Sequence, residues 1–119
     1  MPATVVIVED NDDLRELLAV FLKMQGYAVI AAEDGEAGLQ TILRQPPDLV
    51  ITDIEMPKMD GLSMIRELRR WPQTSRVPVL VLTAYCGRVG DEAIEAGATR
   101  ATYKPVQLDA LIGMIEQLL

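Results

Sequence analysis

At 119 residues the chain is long enough for one domain with its own core, and since half of it is hydrophobic but only 4% aromatic, that core must be aliphatic. With 11 basic against 18 acidic residues the net charge is −7 at pH 7, the wrong sign for a surface that grips duplex nucleic acid. No stretch approaches the roughly 20 apolar residues of a membrane span, and the N-terminus lacks a signal-peptide pattern. The single cysteine, Cys86, cannot form an internal disulfide, which fits a reducing, cytoplasmic setting. The chain has no histidine, which excludes a phosphohistidine, a histidine base and a histidine-ligated metal on this chain.

Five strands alternate with five helices. Continuous apolar runs at 4–8, 49–52 and 77–82 lack the alternation of a half-exposed strand and read as strands buried on both faces. Tyr27 to Ala31 and Ala101 to Tyr103 are weaker strands, suited to less buried positions. After the first strand, Leu14, Leu17, Leu18, Phe21 and Leu22 follow helical spacing, with Asn11 or Asp12 as N-cap and Gly26 as the stop. A second helix carries Leu39, Ile42 and Leu43, opens at Asp34 and closes before Pro46-Pro47. Gly38 inside it costs about 1 kcal/mol relative to Ala, making this the softer helix. Asp60 caps a third, with Leu62, Ile65 and Leu68 inward. Val89, Ala93 and Ile94 form a short, poorly apolar fourth, ended by Gly97, and Leu108, Leu111, Ile112, Ile115 and Leu118 a fifth. This alternation implies right-handed crossovers and a parallel sheet covered on both faces. The chain reads as one domain, 1–119, that ends with its last helix and leaves no room for an output domain.

The strand ends carry the chemistry. The first runs into Glu9-Asp10, the third into Asp53, the fourth into Thr83 and the fifth into Lys104-Pro105. Ligands of open parallel sheets bind outside these carboxyl ends, near the point where strand order reverses. Each residue alone has an ordinary reading: the acids as solvated turn formers or caps, Thr83 as a structural strand residue, Lys104 as a surface lysine, and Pro105 as a helix-opening proline. Three converging carboxylates are different, because two unit charges about 4 Å apart repel by roughly 4 kcal/mol at an effective dielectric near 20. Such a cluster needs a cation or shifted protonation. Oxygen ligands without histidine or thiolate favour Mg²⁺ or Mn²⁺. A carboxylate nucleophile, a metal, a hydroxyl and an ammonium together match the needs of a phosphoryl group.

With these residues in place, the sequence resembles the response-regulator receiver domain of two-component signalling, over essentially its whole length. The matching stretches are Val5-Val6-Ile7-Val8-Glu9-Asp10-Asn11-Asp12, Asp53-Ile54-Glu55-Met56-Pro57-Lys58-Met59-Asp60-Gly61, Leu82-Thr83-Ala84 and Lys104-Pro105. The resemblance implies a flavodoxin-like, doubly wound five-stranded parallel sheet in the order 2-1-3-4-5. By it, Asp53 is the phosphoacceptor, Asp10 a direct Mg²⁺ ligand, Glu9 a ligand mainly through water, and the Glu55 backbone carbonyl a further ligand. Thr83 and Lys104 would bond the phosphoryl oxygens, with the Lys104–Pro105 peptide cis. The implied partners are a sensor histidine kinase or histidine phosphotransfer protein, which docks on the first helix and the strand-5/helix-5 loop, and a downstream protein target. No nucleic acid or membrane is expected to bind this domain, and a phosphorylation-dependent dimer through the fourth and fifth helices stays open. The expected activity is phosphotransfer onto its own aspartate and autodephosphorylation, not enzymatic turnover, and the output surface runs from strand 4 and helix 4 to helix 5.

One position departs from the family pattern. Most receivers carry an aromatic residue three positions before the lysine, and here that residue is Ala101. Tyr103 shares its face by strand alternation, but lies one residue before Lys104 and reads as packing near the sheet edge. The signal is therefore expected to leave through backbone motion in residues 84–97. Ala84 is small and should leave the site accessible, while by the resemblance Glu55 and Tyr85 would act oppositely on phosphoryl lifetime, which stays open. Two rival readings are a phosphorylation-independent scaffold and an aspartyl-phosphate phosphatase of the haloacid-dehalogenase type. Degenerate scaffolds usually lose an acid or the lysine, which this chain keeps, and in the phosphatases the nucleophile precedes the acid pair.

Overall fold

In the computed structural model, which describes residues 2–84 and 88–119, ten elements alternate along the chain. They are β1 (Thr4–Val8), α1 (Asp12–Met24), β2 (Ala28–Ala32), α2 (Gly35–Arg44), β3 (Leu49–Thr52), α3 (Gly61–Arg70), β4 (Val79–Thr83), α4 (Val89–Ala96), β5 (Arg100–Tyr103) and α5 (Leu108–Leu118). The strands form one parallel sheet in the order β2-β1-β3-β4-β5. The continuous apolar runs are its three central strands, whose residues are buried apart from partly buried Thr4, and the two weaker strands are its edges.

Because successive strand residues point to opposite faces, the sheet separates two aliphatic cores. Val6, Val8, Val50, Val79 and Val81 face α2, α3 and α4, where they meet Ile42, Met64, Ile65, Leu68 and Ala93. Val5, Ile7, Leu49, Ile51, Leu80 and Leu82 face α1 and α5, where they meet Leu18, Leu22, Leu111 and Ile115. Each fully buried side chain of this size stabilises the fold by about 1.5–3 kcal/mol.

Local signals set the helix ends. Asn11, not Asp12, caps α1, its Oδ1 accepting the Leu14 N–H at 2.9 Å. Asp34 and Asp60 do the same for α2 and α3, accepting from Ala37 and Ser63, each at 2.8 Å. Gly26 follows α1 at φ 97 and Gly97 ends α4 at φ 120, both in the left-handed region that glycine enters without penalty.

The structure separates residues that helical spacing groups together, and it changes the reading of Gly38. Leu17 is not a core residue: α1 turns it outward, 53% exposed, while Leu18 and Leu22 fill the interior. Ile94 is likewise 48% exposed, and α4 buries Gly90, Ala93 and Ala96 instead. Gly38 is a packing requirement more than a soft point, since a Cβ there would lie 2.7 Å from Val8 Cγ2. Among the described residues no helix is long and apolar enough to cross a membrane.

Candidate functional site

The sheet order reverses between β1 and β3: from β1 the chain moves to β2 at one edge, and from β3 toward β4 and β5 at the other. A crevice opens at such a point beyond the strand ends. Register makes it compact. Val8 pairs with Thr52, so Glu9 and Asp10 emerge beside Asp53, whose N–H donates to the Val8 carbonyl at 3.1 Å. Carboxylate oxygens of Glu9, Asp10 and Asp53 all lie within 4.8 Å of one another. Glu9 and Asp53 are buried, at 3% and 8% exposure, whereas Asp10 is open to solvent.

Lys104 reaches this cluster from the end of β5. Its Nζ donates to Glu9 Oε1 at 2.7 Å and to Asp53 Oδ2 at 2.9 Å. The Lys104 N–H donates to the Thr83 carbonyl at 2.7 Å, tying the ends of β4 and β5 together, and Thr83 is fully buried. The Lys104–Pro105 peptide is cis. One ammonium thus bridges two of the three clustered carboxylates. Burial, then the Asp53 charge, push Glu9 above the ordinary 4.5, although the ammonium and the Asn11 N–H pull the other way. Burial alone would lower Lys104, but its bonds to Glu9 and Asp53 outweigh that and hold it above 10.5. The Glu9 shift is chiefly the cost of burying its charge and the Lys104 shift the pull of its two carboxylates; a divalent cation beside the acids would favour their ionised forms.

The remaining oxygens are fixed by the backbone. Asp53 Oδ1 accepts the Ile54 N–H at 2.6 Å and Glu9 Oε2 the Asn11 N–H at 3.1 Å. Arg15 donates to the Glu9 carbonyl at 2.9 Å, bracing the β1–α1 turn from α1. Asp10, Glu55, Met56 and Asp60 line an open hollow of about 340 Å³ beside the cluster. An all-oxygen donor set next to an open hollow fits Mg²⁺, which keeps several of its waters.

On the other side of Lys104, a second hollow of about 370 Å³ is lined by Leu14, Leu17, Leu18, Leu82, Pro105, Val106 and Leu108. It gives exposed Leu17 a place: at the rim of an apolar groove that ends at the lysine. Helical spacing alone could not separate Leu17 from its buried neighbour, because both fall within the apolar arc.

Ala101 and Tyr103 lie on the α4 side of β5. A Cβ on Gly90 would lie 2.8 Å from the Tyr103 hydroxyl and 3.9 Å from the Ala101 Cβ. Tyr103 stands opposite Thr83 in the strand register and is 44% exposed. Ala84 is exposed. Tyr85 and Cys86, together with part of the 84–97 segment expected to move, lie outside the described residues.

The sequence profile of the response regulator receiver domain matches residues 5–116. The Escherichia coli K12 transcriptional regulatory protein GlrR is 37% identical over 120 residues, covering 99% of this chain and 26% of that protein. Response regulator MprA of Mycolicibacterium vanbaalenii is 37% identical over 122 residues, covering 100% of this chain and 51% of that one. The chain thus spans about a quarter to a half of these curated relatives. Among solved structures, a response regulator from Chloroflexus aurantiacus superposes with TM-score 0.94 at 34% identity, over 99% of this chain and 98% of its own. Response regulator TrrA of Thermotoga maritima, solved with Mg²⁺ and BeF, superposes with TM-score 0.88 at 34% identity over all of both chains.

Proposed function

The chain belongs to the response regulator receiver family, and from that premise we propose that it accepts a phosphoryl group on Asp53 from a phosphohistidine on a partner protein. The observation that carries this reading is the Lys104 ammonium bridging Glu9 and Asp53 at the reversal point of the sheet. In the transfer, an Asp53 carboxylate oxygen forms a bond to phosphorus as the P–N bond of the donor breaks. The donor imidazole keeps the electron pair. Hydrolysis later replaces the aspartyl oxygen on phosphorus by water, releasing inorganic phosphate and restoring the carboxylate.

Glu9, Asp10 and Asp53, with the Glu55 backbone carbonyl, are the residues that would hold Mg²⁺, with Mn²⁺ as the alternative. The bound cation supplies positive charge toward the phosphoryl oxygens. Lys104 exchanges its bond to Asp53 for one to a phosphoryl oxygen, and Thr83 binds another. The apolar groove of Leu14, Leu17, Pro105 and Val106 receives the donor protein, a sensor histidine kinase or histidine phosphotransfer protein, beside the lysine. The added charge of nearly two units then alters the surface from Ala84 through α4 and β5 to α5, where a downstream protein reads it.

The test is incubation with a small acyl phosphate and Mg²⁺, followed by intact-mass measurement. One alkali-labile phosphoryl group is expected on the native chain and none on Asp53→Asn. A label that survives in Asp53→Asn contradicts the assignment, and an unlabelled native chain supports the phosphorylation-independent scaffold instead.

A further inference from the structure

Lys58, in the loop from β3 to α3, has φ 69, in the left-handed region that side chains rarely adopt. The Met59 N–H donates to the Pro57 carbonyl at 2.8 Å across it, closing a three-residue turn of the rare, strained kind. Strained backbone of this sort persists only where its surroundings over-determine it.

The surroundings are supplied from two sides. Within the loop, the Gly61 N–H donates to the Ile54 carbonyl at 2.7 Å. From outside comes the N-terminus of α2. Asp34 is buried; its Oδ1 accepts from Ala37, and its Oδ2 lies 3.8 Å from Lys58 Nζ. Gly35 has no need of glycine for its φ, but the Met59 carbonyl occupies the place a Cβ would take. The absent side chain is therefore what lets the loop backbone rest on α2.

We propose that Asp34 and Gly35 are positioning residues for the phosphoryl and metal site: the first turn of α2 seats the strained Pro57–Met59 turn and so fixes where the Glu55 carbonyl lies beside Asp53. This rests on the reading of Glu9, Asp10, Asp53 and the Glu55 carbonyl as the Mg²⁺ site. The alternative is that the contact only stabilises the fold, in which case its loss lowers the melting temperature without changing Mg²⁺ affinity in the folded protein.

The experiment titrates Mg²⁺ alone into the whole chain and follows the amide signals of residues 9, 10 and 53–59, with melts in parallel. In Gly35→Ala, Mg²⁺ affinity is expected to fall about tenfold or more, the usual effect of removing a group that orients a metal ligand. Gly113→Ala, at an α5 position with open space around it, keeps the native affinity. Asp34→Asn retains the cap acceptor and removes the charge facing Lys58. It is expected to weaken Mg²⁺ roughly two- to threefold, the size of one long ion pair whose lysine is open to solvent, and to speed hydrogen exchange at the Met59 amide. A folded Gly35→Ala with native affinity overturns the proposal. Should that variant not fold, native affinity and native Met59 exchange in Asp34→Asn overturn it. A native chain that shows no Mg²⁺ response at residues 9, 10 and 53 contradicts the functional reading, and this assignment with it.

Discussion

The β1–β3 half of the molecule and the β5–α4 half are built to different tolerances. Around β1 and β3, backbone meets backbone: side chains on Gly35 or Gly61 would overlap the carbonyl oxygens of Met59 or Asp53, and one on Gly38 would crowd Val8. Beside β5, an edge strand of partly exposed residues, the corresponding glycine, Gly90, closely approaches the outer end of the Tyr103 side chain and not backbone. Close-packed interiors transmit small shifts, and backbone has less room to give than the end of a side chain. On the proposed reading, the groups that would handle the phosphoryl sit against backbone, and those that would report it sit against a side chain on an edge strand. Lys104 joins the two, since it leaves β5 and ends among the β1 and β3 acids.

That contrast breaks or sharpens under mutation. The largest effect is expected at Lys104→Ala, which should slow acyl-phosphate labelling of Asp53 by about 10²–10³-fold, as loss of one preorganised charged donor does. A labelling rate within a few-fold of native would mean that the site does not depend on the β5 lysine. Next comes Gly38→Ala. Helix propensity favours it by about 1 kcal/mol, but overpacking against Val8 costs about 1–3 kcal/mol, so a chemical melt should show net destabilisation. A more stable variant would return Gly38 to the softer-helix reading.

Glu9→Gln addresses the burial of an ionised acid. An acid held above its ordinary value binds its proton more tightly folded than unfolded, so its ionised form costs stability above that range. In divalent-free buffer the variant should therefore gain stability relative to native at neutral pH. The gap should close as pH falls toward 4.5, where the native side chain also becomes neutral. A gap that widens on acidification contradicts this. Gly90→Ala should have the smallest effect, within about 1 kcal/mol, because the added methyl meets the end of a side chain and not backbone, and the helix gains propensity. A cost matching that of Gly38→Ala would erase the difference between the two halves.

Much of this was legible in the sequence because fold and site share one signal. Each central strand is a run of mostly Val, Ile and Leu that stops at a candidate site residue, so locating Val8, Thr52 and Leu82 also locates Glu9, Asp53 and Thr83. Edge strands were legible for the opposite reason, through the weaker apolar character of 27–31 and 101–103. What escaped depends on angles between elements. Leu17 and Leu18 are equally apolar, and only the seating of α1 on the sheet decides which is buried. Gly38 carries no mark distinguishing a helix weak point from a contact with Val8. Asp34 and Gly35 read as an ordinary cap and first turn, because their partner, Met59, lies 24 residues away from Gly35 in another loop.

The central claim is that four strand ends form one phosphoryl site. Its most direct test is an amide-shift map on adding Mg²⁺ with beryllofluoride, a phosphoryl mimic. Perturbations are expected at Glu9, Asp10, Asp53, Glu55, Thr83 and Lys104, extending to Gly90, Ala101 and Tyr103. A map in which Glu9, Asp10, Asp53, Thr83 and Lys104 stay unmoved while other residues shift would contradict it.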